Sequence, residues 1–300
     1  MTDFGRVLTA MVTPMTPRGE VDYRRAQQLA EALISSGTDG LVLSGTTGES
    51  PTLTAEEKLT LYREVRAAIG NRATIVAGTC NYNTRESIEL SNEAREAGVD
   101  GILGTVPYYN KPPQHALYAH FEAIARNVDL PIILYNVPSR TVTNMSAETT
   151  IRLSQISNII GIKDAGGNLD VTSKMIEESA PGFLVWSGDD VQTLPLMAVG
   201  GYGIVSVASH LVGKQIQEMI GHFLAGRNGE AAALHRKLRP FFNAMFVTTN
   251  PIPLKYALRK VGFDVGSVRL PLVEPEAGQA AVVDAALATA QIDLPIPVGA

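Results

Sequence analysis

Lys163 is the residue whose position most directly suggests chemistry. It lies in NIIGIKDA (158–165), where an apolar run typical of a strand buried on both faces ends in Lys163 and Asp164. Desolvation disfavours the ammonium form of an amine, so a lysine in an apolar pocket can be a neutral nucleophile. Attack on a carbonyl carbon then gives an imine, which withdraws electrons from the adjacent carbon. The stretch therefore predicts a Schiff-base lysine; a lysine that extends from the strand end to solvent is the alternative.

Tyr135 is the candidate proton donor for this chemistry. It lies towards the end of PIILYNV, the apolar run before that of Lys163, and consecutive strands usually neighbour each other. Formation and dehydration of a carbinolamine require proton transfer at the carbonyl oxygen, which a nearby phenol can carry out. A tyrosine that only packs in the core is the alternative. Tyr108 and Tyr109, on a loop with two consecutive prolines, indicate packing or an interface.

Two further segments could bind a carboxylate. In GTTGE, Thr46 and Thr47 stand between glycines at a strand-to-helix connection, where backbone N–H groups and hydroxyls can face an anion. Arg140 follows NVPS and could clamp a carboxylate through two parallel hydrogen bonds. An ordinary turn and a solvated surface arginine are the respective alternatives.

The other polar candidates are assigned no chemistry. Side chains alternate along a strand, so Asp164 faces away from Lys163 and is interpreted as a loop-capping or helix-facing carboxylate. Asp189 and Asp190 are interpreted as cap and turn residues rather than an acid/base pair. The five histidines show no metal-ligand spacing, and no G-x-S-x-G motif supports a serine nucleophile.

These candidates lie far apart in sequence and need a fold that brings strand ends together. Eight short apolar runs alternate with helical segments within about 225 residues, which is typical of a (β/α)8 TIM barrel, an α/β fold whose active site lies at the C-terminal strand ends. A doubly wound open sheet is the alternative, but it favours a glycine-rich phosphate loop after the first strand, where this chain has TPMTPRGEVD. The runs cover 7–13, 40–45, 73–79, 101–107, 131–137, 159–165, 183–189 and 203–209.

Helix positions are indicated by caps and by periodicity. Thr54 and Asn83 each precede a glutamate by three residues, which is the spacing of a capping box. Two helices show one face of small or apolar residues at helical spacing. These are Ala26, Leu29, Ala30 and Leu33 after the first run, and Ile216, Met219, Ile220, Phe223 and Leu224 after the eighth.

After residue 225 the pattern is only helical, and Pro251 and Pro253 suit a helix start. The final QIDLPIPVGA is predicted to be an extended tail. We therefore predict two regions, a catalytic barrel over 1–225 and a helical extension over 226–300 that packs on the barrel. The helices of the extension are predicted near 230–247, 252–262 and 276–290.

The composition excludes several classes of protein. The net charge is −5, and no basic run indicates a nucleic-acid partner. Glycine, proline or charge interrupts the long apolar runs, and the N-terminus lacks the features of a secretory signal, so neither a membrane span nor secretion is expected. Cys80, the only cysteine, is interpreted as a small buried hydrophobe. A single cysteine excludes an intrachain disulfide and fits a cytoplasmic protein.

Five motifs taken together resemble the dihydrodipicolinate synthase family, also called 4-hydroxy-tetrahydrodipicolinate synthases. They are GTTGES, PYYN, YNVPSRT, GIKDA and SGDD. The resemblance extends from Val7 through NPIPLKYA (250–257). GTTGE with a lysine in GIK marks the pyruvate-dependent class I aldolases, and YNVPSRT marks the synthase branch. The resemblance implies condensation of pyruvate with L-aspartate 4-semialdehyde in lysine and diaminopimelate biosynthesis.

The resemblance also implies catalytic roles. Lys163 forms the imine with pyruvate, and loss of a methyl proton gives an enamine that attacks the aldehyde. Tyr135, Thr47 and Tyr109 form a proton relay, with Tyr109 reaching into the site of a neighbouring subunit. The amine of the second substrate then displaces Lys163 and closes the ring. No metal or organic cofactor is needed.

Substrate binding is likewise implied by the resemblance. Thr46 and Thr47 hold the pyruvate carboxylate, and Arg140 binds the carboxylate of the semialdehyde. Gly188 and Val205 line the site through their backbones. Members of the family are commonly homotetramers built as dimers of dimers.

One departure from the family concerns feedback inhibition. Inhibited members bind lysine in a cleft at the tight dimer interface with histidine and asparagine side chains. At the matching positions this chain has Ala55, Lys58 and Tyr82, although Glu86 remains. Because Lys58 would repel a bound lysine, the sequence predicts weak or absent inhibition.

Two other functions remain open at this stage. N-acetylneuraminate lyases and 2-keto-3-deoxy-sugar acid aldolases share the lysine, the tyrosine and the GTTGE segment (45–49), which we call the threonine loop. They lack the arginine that Arg140 supplies. A barrel that only binds a keto acid is the other alternative. It is disfavoured because binding alone needs no nucleophile.

Overall fold

The computed structural model describes residues 3–296, and within them eight parallel strands close into a barrel. Each strand pairs with the next along the chain, and the eighth pairs with the first. The prediction of a (β/α)8 barrel is confirmed. Every strand ends before its apolar run does, and the last residues of each run belong to the connection that follows the strand. The strands are β1 (Val7–Ala10), β2 (Gly40–Leu43), β3 (Thr74–Ala77), β4 (Gly101–Thr105), β5 (Ile132–Asn136), β6 (Ile159–Asp164), β7 (Leu184–Ser187) and β8 (Gly203–Ser206).

Helices surround the barrel and continue into the C-terminal extension, as predicted. Two short 3-10 helices cover Ser50–Thr52 and Asp190–Gln192. Among residues 3–296, no helix has both the length and the apolar character that crossing a bilayer requires. The α-helices are α1 (Tyr23–Ser35), α2 (Ala55–Ile69), α3 (Thr84–Glu96), α4 (Gln114–Asn127), α5 (Pro138–Thr141), α6 (Ala147–Leu153), α7 (Leu169–Glu178), α8 (Thr193–Ala198), α9 (Ser209–Leu224), α10 (Asn228–Ala244), α11 (Ile252–Lys260) and α12 (Ala277–Thr289).

The predicted helix signals are confirmed with two exceptions. Thr54 and Glu57 form a complete capping box on α2. Asn83 caps α3, but the box does not close, since Glu86 accepts from the Asn81 and Asn83 side chains instead. The predicted face of α1 is fully buried. On α9, Leu224 is exposed because it forms the last turn, beside exposed residues 225 and 226.

The C-terminal extension packs on the barrel through α10, which lies against α9. α11 begins where its two prolines predicted, with Pro251 as its cap and Pro253 in its first turn. The extension also reaches the loop after β1, where the Met15 N–H donates to the Val265 carbonyl at 3.0 Å. Of the predicted tail, 291–296 contains no helix or strand, and 297–300 lies outside the described residues.

The largest side chain in the apolar cluster of the barrel interior is a tryptophan. Trp186 of β7 is completely buried and lies beside Gly161 of β6. A Cβ on Gly161 would lie 2.6 Å from Cζ3 of this ring and 2.3 Å from the Leu184 carbonyl oxygen. Only glycine leaves room for the indole there, two residues before Lys163.

A buried carboxylate joins the ends of β7 and β8. Asp190 accepts hydrogen bonds from the Ser206 hydroxyl at 2.5 Å and from the Val207 and Ala208 N–H groups. The prediction of a turn residue is correct for Asp190, which begins the 3-10 turn Asp190–Gln192 while its buried side chain accepts from N–H groups after β8. The prediction of a cap is also correct for Asp189, which caps the short 3-10 helix through the Val191 N–H. Burial raises the pKa of Asp190 to about 6.

Replacement of Gly161 by alanine is expected to destabilise the barrel by overpacking. We expect Gly161→Ala to lower the free energy of unfolding by about 1–3 kcal/mol, measured by urea denaturation. Gly221→Ala in α9 is the control, since its Cβ would meet nothing within 4 Å. That variant should be neutral or up to about 1 kcal/mol more stable. Equal stability of Gly161→Ala and the wild type would contradict the packing argument.

Asp190 should make stability fall with rising pH. A carboxyl group whose pKa is higher in the folded than in the unfolded chain favours folding below pH 3.8, and this contribution is lost as the pH rises through about 6. The loss should be on the order of 3 kcal/mol. We expect the free energy of unfolding of the wild type, relative to Asp190→Asn, to decrease between about pH 4 and about pH 7. A constant difference across this range would show that Asp190 titrates normally.

Candidate active site

The Lys163 amine and the Tyr135 ring are brought together by strand register. The two residues are direct partners in the β5–β6 pairing. Lys163 is only 5% exposed, and its Nζ lies 4.2 Å from the centroid of the Tyr135 ring. Within residues 3–296 the amine forms no ion pair with a carboxylate. A buried amine without an acidic partner is the arrangement that suits a nucleophile.

Asp164 faces away from this amine, as the alternation predicted. Its carboxylate accepts from the Thr172 hydroxyl at 2.9 Å, the Gly166 N–H at 3.0 Å and Nδ2 of Asn136 at 3.3 Å. The interpretation as a loop-capping carboxylate is confirmed. Asp164 thus fixes the connection after β6 and stays out of the chemistry.

A cavity of about 470 Å³ opens above Lys163 at the C-terminal ends of the strands. Six of the residues predicted for the site line it. They come from the ends of β2, β5, β6 and β7, so elements that are distant in sequence meet at one point. The six are Thr46, Thr47, Tyr135, Arg140, Lys163 and Gly188.

The connection after β2 presents unused backbone donors to this cavity. Turn hydrogen bonds join the Glu49 N–H to the Thr46 carbonyl and the Ser50 N–H to the Gly45 carbonyl. Within the described part of the chain, the N–H groups of Thr46 and Thr47 donate to no protein acceptor. Two adjacent N–H groups beside a buried amine can bind a carboxylate.

Arg140 and Gly188 complete the predicted residues that line the cavity. Arg140 is exposed on α5 and forms no ion pair within residues 3–296, so its guanidinium is available to a ligand. Gly188 donates its N–H to the Asp164 carbonyl at 2.7 Å, and a Cβ there would lie 2.8 Å from the Cβ of Ala165. Val205 packs with Tyr135 in the barrel interior, and the cavity wall at β8 is formed by Val207 instead.

Tyr109 is not part of this cavity within one chain. It is 93% exposed and adopts a left-handed backbone conformation with φ 69°. Its neighbour Tyr108 packs edge-on against Tyr82, with ring centroids 5.0 Å apart. A single chain therefore does not assemble the predicted relay.

Asn250 is a site residue that the sequence analysis missed. Its Nδ2 donates to Oγ1 of Thr47 at 2.8 Å, and both side chains are buried. Phe242, Asn243 and Phe246 of the extension also line the cavity. The segment NPIP indicates a helix start and marks the end of the family resemblance, but nothing local in it indicates that it closes the active site.

The histidines are structural where they are buried. His210 accepts from the Val12 N–H and bonds the Val207 carbonyl, and burial lowers its pKa to about 4. Burial likewise lowers the pKa of His120 to about 4. Within residues 3–296, no three His, Cys, Asp or Glu side chains are grouped to hold a metal ion.

A second cavity of about 630 Å³ lies on the other side of the threonine loop. Ala55, Lys58, Tyr82 and Glu86 line it, together with Cys80. Cys80 is partly buried and packs against the hydrophobic core, close to the sequence prediction, and desolvation of its thiol raises the pKa to about 12. Burial lowers the pKa of Lys58, which has no ion-pair partner in the described part of the chain.

Comparison with known proteins places this geometry in a family. The model of the dihydrodipicolinate synthetase family matches residues 3–290. The 4-hydroxy-tetrahydrodipicolinate synthase of Dehalococcoides mccartyi is 54% identical over 99% of this chain and 100% of its own. The crystal structure of a dihydrodipicolinate synthase from Bacillus anthracis superposes with a TM-score of 0.95 at 47% identity, covering 97% of this chain and 100% of that one.

The crystal structure of the synthase from Cyanidioschyzon merolae with lysine bound gives a TM-score of 0.94 at 46% identity, covering 95% and 98%. Sequence, family model and fold agree over almost the whole length of each protein. The chain belongs to the dihydrodipicolinate synthetase family.

Proposed function

We propose that this enzyme condenses pyruvate with L-aspartate 4-semialdehyde to 4-hydroxy-tetrahydrodipicolinate through an imine on Lys163. The observation that carries the proposal is the Lys163 amine, buried against the Tyr135 ring in a cavity shared with the threonine loop and Arg140. The synthase name of relatives more than 50% identical supports the same reaction. The product belongs to lysine and diaminopimelate biosynthesis.

The first half of the reaction uses the Lys163 side of the cavity. The N–H groups of Thr46 and Thr47 bind the pyruvate carboxylate and direct C2 towards the amine. The neutral amine attacks C2, and Tyr135 transfers protons at the carbonyl oxygen until it leaves as water. The imine withdraws electrons from the methyl carbon, which loses a proton and becomes an enamine.

The second half uses the Arg140 side. The guanidinium binds the carboxylate of the semialdehyde by paired hydrogen bonds, which sets the aldehyde carbon near the enamine. A carbon–carbon bond forms, and the aldehyde oxygen takes up a proton. The amine of the substrate then attacks the imine carbon and releases Lys163, so one water is formed overall and the enzyme is regenerated.

The relay and the assembly form part of this proposal. Exposed Tyr109 on its left-handed turn is suited to enter the site of a neighbouring subunit. There it would connect Tyr135 and Thr47 to solvent. We propose a cytoplasmic homotetramer, arranged as a dimer of dimers, in which each site is completed by a second chain.

Imine trapping tests the mechanism. Borohydride reduction with pyruvate should place a reduced pyruvyl group on Lys163, identified by peptide mass spectrometry. Lys163→Arg should give no adduct, whereas Lys214→Arg, at an exposed position on α9, should react like the wild type. Absence of the adduct from the wild type would refute the mechanism.

A substrate comparison tests the identity of the second substrate. Turnover of N-acetylmannosamine in preference to aspartate semialdehyde would indicate a sugar-acid aldolase instead of the proposed synthase.

Lysine is expected to inhibit this enzyme weakly or not at all. The C. merolae relative binds lysine, but here the Lys58 ammonium lies in the second cavity without an ion-pair partner among residues 3–296 and would repel the lysine side chain. Initial rates should therefore be unchanged at sub-millimolar lysine. Lys58→Gln should be more sensitive than the wild type. Strong inhibition of the wild type at these concentrations would contradict the prediction.

A further inference from the structure

The C-terminal extension holds the threonine loop from behind. Asn250 donates to the Thr47 hydroxyl, as described above. Two residues further along the loop, the Glu49 carboxylate lies 2.6 Å from Nζ of Lys255 in α11. Its other oxygen accepts the backbone N–H of Arg269 at 2.8 Å. Thr47 and Glu49 of the threonine loop are thus both bound by residues more than two hundred positions away in the sequence.

The Glu49–Lys255 pair is almost completely removed from water. Each side chain is 1% exposed, and Lys255 also donates to the Ser267 carbonyl at 2.8 Å. Glu49 has a left-handed backbone with φ 57°, a conformation that residues with a Cβ rarely adopt. Such strain persists only where surrounding contacts determine the conformation.

Net stability does not account for this pair. Removing two charges from water costs about as much as their attraction returns, so buried pairs of this kind can often be replaced by uncharged groups without loss of stability. Their effect is geometric, because removing either partner leaves the other as a buried charge without compensation. The charges on Glu49 and Lys255 therefore select one arrangement of the turn that contains Thr46 and Thr47.

We propose that Glu49 and Lys255 are positioning residues for the reaction, and that Asn250 supports them through Thr47. The ion pair holds the N–H groups of Thr46 and Thr47 at the distance from Lys163 that pyruvate requires. This inference rests on the proposed function, since it assumes that the loop binds the pyruvate carboxylate. Neither Glu49 nor Lys255 lines the cavity, so both act through the loop.

A double variant separates positioning from stability. Lys255→Met alone should be strongly destabilised, because Glu49 remains buried without its partner. Glu49→Gln combined with Lys255→Met removes both charges and should recover most of the thermal stability. If the pair positions the loop, the pyruvate concentration that half-saturates imine trapping on Lys163 should still rise roughly 10- to 100-fold in the double variant.

Lys260→Met is the matched control. Lys260 lies on the same helix and forms an exposed ion pair with Asp284 at 3.4 Å, so half-saturation should not change. A double variant with recovered stability and wild-type half-saturation would overturn the inference. If the double variant does not fold, Glu49→Gln alone provides the test, because Glu49 does not line the cavity, and unchanged half-saturation there would overturn the inference equally. Absence of trapping in the wild type would refute the proposed function itself.

Discussion

The burial of one amine beside one aromatic ring organises this structure. Lys163 and Tyr135 are register partners on β6 and β5, so their contact depends on the closed parallel barrel. Gly161, two residues before Lys163, makes room for the Trp186 ring, which is completely buried in the apolar cluster of the barrel interior. The amine is therefore held at the barrel mouth with an apolar floor, and a shift in the register of either strand would separate it from the phenol.

The acidic residues around the mouth are all engaged elsewhere. Asp164 binds the loop after β6, and Asp190 binds the start of the segment after β8. Glu49 is paired with Lys255 behind the threonine loop. Asp189 also lines the cavity, but its carboxylate accepts the Val191 N–H. Lys163, Arg140 and the free N–H groups therefore remain to complement substrates that each carry a carboxylate. The site favours anionic substrates for two reasons. Its cations face the cavity, and the carboxylates of the protein are neutralised or hydrogen-bonded by other protein groups.

The C-terminal extension is part of the site as well as of the packing. Its residues form one wall of the cavity and hold the loop that is proposed to bind pyruvate. The barrel alone, residues 1–225, would leave Thr47 without its amide partner and Glu49 without a cation. The two regions predicted from periodicity therefore share one active site, and the division between them marks a change of architecture rather than of function.

The sequence by itself determined the eight strands, the helices of the extension, and the positions of Lys163, Tyr135 and the GTTGE loop. These features follow from local periodicity, caps and the rule that barrel chemistry lies at the C-terminal strand ends. Only the tertiary structure decided that Asn250 and Lys255 meet this loop and that Asp190 turns inward. Such contacts join segments far apart along the chain. Since local residue preferences carry no information about distant partners, packing alone selects them.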